Sequence, residues 1–173
     1  MFCIGDPAWH LFHLKGIGIP RLIEDLEKLE RTGIAEEKCK LIKEVLSRVI
    51  SITDKASKSN WRPCASQPLH EFREIYAHWN DRYEGVSMAD RVHRRERINE
   101  MREKRLRTSR NLSRRINYNK DERQGVLDGI FANEEDKNLA IEIYKELRKI
   151  SDQHPDTFPI LTKAVETYDR KTS

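Results

Sequence analysis

From Ser87 to Asn117 the chain contains neither glycine nor proline, and the stretch Arg91 to Arg115 carries eleven Lys or Arg residues against three glutamates. Ser87 and Asp90 are suitable N-caps, because a short polar side chain can accept from the unpaired N–H groups of a helix's first turn. One long basic helix over 88–117 is therefore predicted. Its apolar face is narrow. Ile98, Met101, Leu112 and Ile116 fall on one side, but Arg105 and Thr108 interrupt that stripe, so its middle is expected to be only shallowly buried. Such a helix needs partners, and the rest of the sequence supplies helices.

Pro20 opens a segment whose Leu22, Ile23, Leu26 and Leu29 recur at helical spacing until Gly33. A third stripe follows in Leu41, Ile42, Val45, Leu46, Val49 and Ile50. Leu69, Phe72, Tyr76, Trp79 and Tyr83 form an aromatic stripe that Gly85 stops, and further helices are expected over 121–131, 134–150 and 158–169. The fold class is all-α: a multi-helix bundle with an N-terminal helical hairpin unit and a long basic helix. Residues 54–67 are polar, contain Pro63 and lack a period, so they read as a linker between an N-terminal unit (1–53) and a C-terminal helical region (68–173). No run of about 18 apolar residues and no signal-peptide pattern occurs, so an intracellular protein without a membrane span is expected. Cys3, Cys39 and Cys64 are odd in number and widely spaced, which argues for reduced thiols.

The overall charge of +4 is unevenly distributed. The basic stretch is strongly positive and the remainder slightly negative. Arginine greatly outnumbers lysine there, which favours bidentate phosphate contacts. A helix of that length spans about 37 Å, close to one turn of duplex DNA. Arg91, Arg94, Arg95, Arg102 and Arg105 share about a third of its circumference, whereas Arg107, Arg110 and Arg114 turn to another side, so the charge wraps rather than stripes; Arg115 is counted with them as a candidate phosphate contact. The alternative is a charged face paired with acids, for which Asp121, Glu122, Asp128, Glu134, Glu135 and Asp136 are the nearby downstream candidates. An acidic protein surface or another subunit also suits the arginines.

Near the N-terminus, Leu11 and Leu14 precede a Gly16-Ile17-Gly18 turn, and Leu22, Ile23 and Leu26 follow it. This ordering over residues 11–33 resembles the helix-hairpin-helix family of DNA-binding motifs, although Leu22 stands where that family usually has a small residue. The resemblance implies that Gly16 and Gly18 let the backbone approach a phosphate while Lys15 and Arg21 add charge. Glycine's small size and the positive end of a helix fit that role. Arg94-Arg95-Glu96-Arg97 also looks like part of a basic helix-loop-helix region, but no matching loop and second dimerisation helix follow.

Other constellations are weaker. Cys3, His10 and His13 read as packing residues more readily than as metal ligands, and Cys64 with His70 and His78 lacks an orienting group for nucleophilic catalysis. Trp61 and Arg62, set near Lys55 and Lys58, suit either loop anchoring or stacking on an unpaired base. No phosphate-binding loop, nucleotide fingerprint or H-E-x-x-H motif is present. The expectation is a non-catalytic binder of DNA, or second RNA, without metal or cofactor, that grips mainly the phosphate backbone. The alternative is a helical adaptor or assembly subunit, self-association included, that docks an acidic partner.

Overall fold

The computed structural model describes residues 18–57, 63–116 and 133–172, and contains six helices and no strand among them. In chain order these are α1 (Ile19–Arg31), α2 (Glu36–Ser57), α3 (Pro63–Tyr83), α4 (Met88–Ile116), α5 (Glu134–Gln153) and α6 (Pro159–Thr172). The all-α expectation holds. No helix of the described residues is long and apolar enough to cross a membrane.

The chain divides into two units, one formed by residues 1–60 with 131–173 and the other by 61–130. The expected grouping of 68–173 differs from this, since α5 and α6 fold with α1 and α2 while the basic helix pairs with α3. Adjacency in sequence is a poor guide to tertiary partners when every helix carries a buried stripe. The expected linker also contracts: α2 continues to Ser57 and α3 begins at Pro63, so only 58–62 fall between the helices.

In the first unit, α1 packs on α6, α2 on α5, and α5 on α6. Leu22, Ile23 and Leu26 of α1 are fully buried, and Gly33 at φ +68° follows its last turn, a conformation glycine adopts without steric cost. The α2 stripe is rotated slightly from expectation. Cys39, Ile42, Val45, Leu46, Val49 and Ile52 are buried, whereas Leu41 and Ile50 lie at its half-buried edges. In α5, Asn133 caps the helix by accepting from the Asp136 N–H at 2.9 Å, and Ile143, Leu147 and Ile150 form the inward face. Tyr144 meets Tyr168 of α6 edge-on with ring centroids 5.2 Å apart.

Asp25 joins α1 to α6. Its carboxylate, 1 % exposed, accepts from the backbone N–H groups of Ile160 at 3.2 Å and Leu161 at 2.8 Å. Those donors belong to the first turn of α6, where no intrahelical acceptor exists, so a side chain from another helix acts as the cap. Burial pushes the Asp25 carboxyl above its ordinary value, against the pull of the two N–H donors and of Lys28.

The second unit is a helical hairpin. Gly85 at φ +69° makes the turn, and Ser87 caps α4 by accepting from the Asp90 N–H at 3.3 Å while donating its hydroxyl to the Asp90 carboxylate at 2.6 Å. Leu69, Phe72, Ile75 and Trp79 are buried on α3. Leu69, Phe72 and Trp79 of the expected stripe are thus inward, while Ile75 takes the inward place assigned to Tyr76.

Candidate nucleic-acid interface

The hairpin seam buries charge beside its hydrocarbon. Among the described side chains of α4 the deeply buried apolar residue is Ile98, and two turns further on stands Arg105, 7 % exposed. Glu71, 0 % exposed, faces it from α3, with the Arg105 Nε donating to Glu71 Oε2 at 2.8 Å. Arg102 Nε stands 3.4 Å from the other Glu71 oxygen. Nearer the turn, Arg94 Nε donates to Asp81 Oδ2 at 2.6 Å, and both Arg94 and Arg97 lie within 4 Å of Glu74. Gln67 completes the seam by donating to the Met101 carbonyl at 2.8 Å. Glu71, Glu74, His78 and Asp81 follow one another at helical spacing, so α3 presents a polar stripe alongside its apolar one.

These pairs reassign three of the arginines expected at a phosphate. Arg94, Arg102 and Arg105 are directed into the hairpin, where α3 carboxylates occupy their donors, and a phosphate reaching Arg105 would have to displace a buried carboxylate. Among the described residues, the acids that pair with these three lie on α3, ahead of the turn. Glu134 pairs with Lys137 in its own helix, and the backbone N–H of Asp136 serves the Asn133 cap, while Asp121, Glu122 and Asp128 lie outside the described residues.

Arg91 and Arg95 are half-buried. Lys104, Arg107 and Arg110 are exposed, and Arg107 holds Glu103 at 3.2 Å in a pair whose members are both more than 70 % exposed. Such a pair is worth about 0.3–0.5 kcal/mol and opens readily to a stronger anion. Arg114 and Arg115 extend the same basic run in sequence within α4; their side chains fall outside the described residues, as does Leu112. After Glu103 no acid occurs up to Ile116, so the positive charge concentrates in the C-terminal half of the helix, where the macrodipole also favours cations.

Of the hairpin residues near the N-terminus, Lys15 and Gly16 fall outside the described residues. Gly18 sits at the start of α1 with φ −63° and ψ −63°, an ordinary right-handed helical conformation. Ile19 and Pro20 are buried, which leaves Arg21 as the solvent-facing residue of that turn, and it pairs with Glu24 at 3.0 Å. Cys3, His10, His13, Trp61 and Arg62 also lie outside the described residues. His70 is exposed and His78 buried, and no group of three potential metal ligands occurs among the described residues.

No family model, curated protein or solved structure matches this chain.

Proposed function

We propose that this protein is a non-catalytic nucleic-acid binder that holds the phosphate backbone of DNA, or of RNA, with little sequence specificity. The observation that carries the reading is the charge surplus left in α4 once the hairpin's ion pairs are made. The arginines nearest the turn and along the inner face of the helix are matched by Glu71, Glu74 and Asp81, whereas Lys104, Arg107 and Arg110 reach solvent beyond the last acid of the helix. Exposed cations on a rigid helix suit phosphates, which fix position and carry no base identity. Arg94, Arg102 and Arg105 then build the scaffold that holds this surface, and Arg21 adds a cation on α1.

Fluorescence anisotropy with a labelled duplex and a labelled single strand, titrated over several salt concentrations, tests the reading. Affinity should fall with salt with a log-log slope of about −0.9 per phosphate neutralised on duplex DNA. The triple variant Lys104→Gln/Arg107→Gln/Arg110→Gln should lose up to about three units of that slope with little change in melting temperature. Absence of binding at low salt, or an unchanged slope in the triple variant, overturns it.

A second reading rests on a different observation. Met88, Val92 and Leu106, exposed by 67 %, 51 % and 42 %, fall within about 40° of one another around α4. This broken apolar line, flanked by Arg95 and Arg110, suits an acidic amphipathic partner helix, as an adaptor would require. Val92→Lys/Leu106→Lys should abolish capture of such a partner and leave nucleic-acid affinity intact or raised.

A further inference from the structure

A groove of about 490 Å³ runs between α1 and α6, and its ionisable lining is entirely basic: Arg21 and Lys28 from α1 and Lys163 from α6, above a floor that includes Ile160 and Ala164. Three like charges along one groove repel each other unless an anion is present. The acids close by answer that charge only in part. Asp25 is buried with both oxygens engaged by the first turn of α6, so Lys28 acts on it through space, and Glu24 pairs with Arg21 in an exposed contact. Among the described residues neither Lys28 nor Lys163 enters an ion pair. The α6 N-terminus is capped by Asp25, so an incoming anion meets side chains and not free backbone N–H groups. Thr167, also in the lining, donates its hydroxyl to the Lys163 carbonyl at 2.7 Å, which leaves recognition to the three cations.

Resting on the nucleic-acid reading, we propose that this α1–α6 groove is a phosphate seat, holding backbone phosphodiesters between Arg21, Lys28 and Lys163. Arg21 and Lys28 are two turns apart on one face of α1, about 10 Å along the axis. That separation exceeds the reach of one phosphate and fits successive phosphates of a strand, while Ile160 and Ala164 offer an apolar surface to the sugar between them. The site belongs wholly to the first unit and uses none of the α4 arginines.

The full chain carrying Lys28→Gln/Lys163→Gln, beside a Lys28→Arg/Lys163→Arg control, provides the test by the same anisotropy titration. The glutamine pair should make the salt slope shallower by about two units, and the arginine pair should keep the wild-type slope. Both lysines are exposed, so the melting temperature should stay at the wild-type value. Should wild type bind while the glutamine pair retains its affinity and slope, the groove proposal falls and the α4 reading stands. Should wild type fail to bind either probe at low salt, both fall together.

Discussion

Replacing Glu71 by alanine leaves Arg105 buried without its counter-ion, and that single change should be among the most damaging available in the hairpin. Glu71 is fully buried and its partner's side chain is 8 % exposed, so water cannot take over the lost contact without opening the seam. Breaking such a pair by removing one member costs about 3–5 kcal/mol, far more than the pair contributes over an apolar replacement, because the desolvated charge stays behind. Arg102 loses its 3.4 Å contact in the same step. The exposed pair Glu103–Arg107, one turn apart on α4 and solvated, is the internal control: Glu103→Ala should cost no more than about 0.5 kcal/mol. Thermal and urea unfolding followed by circular dichroism measures both, and Glu71→Ala should lower the melting temperature by roughly 10 °C. The decisive variant is Glu71→Leu/Arg105→Met, which removes both charges and should recover most of the loss. A Glu71→Ala protein within 1 kcal/mol of wild type would refute the argument, as would a double variant no more stable than the single one.

Two further changes test local claims. Burial raises the Asp25 carboxyl, so the folded state holds a proton there more readily than the unfolded one. The group's contribution is then fully present below about pH 3.8 and is lost as pH rises through the higher folded value. The stability advantage of wild type over Asp25→Asn should therefore shrink as pH rises from 3 towards 7, measured by urea unfolding at fixed ionic strength, and a growing advantage would contradict it. Gly85→Ala should cost about 1–2 kcal/mol through its positive φ alone, since no atom lies within 4 Å of the added methyl; a neutral result in urea unfolding would contradict the strain.

Helix existence was legible in the sequence because periodicity and stop signals agreed: Pro20 and Gly33 bracket α1, Gly85 separates α3 from α4, and Ser87 with Asp90 marks the α4 start. Most of the inward face of α1, namely Leu22, Ile23 and Leu26, followed from the same spacing. Where the stripe was ambiguous the face slipped, as with Tyr76 against Ile75, because an aromatic ring and a β-branched side chain one position apart satisfy the same pattern until a partner surface chooses. The charged seam was less visible, since periodicity arguments track apolar residues and treat polar ones as solvent-facing. Yet a signal existed. Glu71, Glu74 and Asp81 repeat at helical spacing 4 to 14 residues before Gly85, and Arg94, Arg97, Arg102 and Arg105 lie 9 to 20 residues after it. Folding the chain near that glycine, with the arginines set a few residues further out, brings acid against base.

That pairing changes what a basic helix means in this chain. Counting charge along α4 alone suggests a surface positive from end to end, with Arg105 at its centre. Counting across the hairpin shows α3 carboxylates taking up arginines nearest the turn and along the inner face, while Lys104, Arg107 and Arg110 remain beyond the last acid. The two sets therefore separate by experiment. Charge-neutral changes in the seam should move stability and leave the salt slope of any surviving folded protein alone, because those guanidinium groups release no counterions on binding. Changes in the distal set should do the reverse. If Arg105→Met/Glu71→Leu instead flattened the salt slope while folding normally, the buried arginine would be reaching the ligand, and the division between scaffold and surface would have to be redrawn.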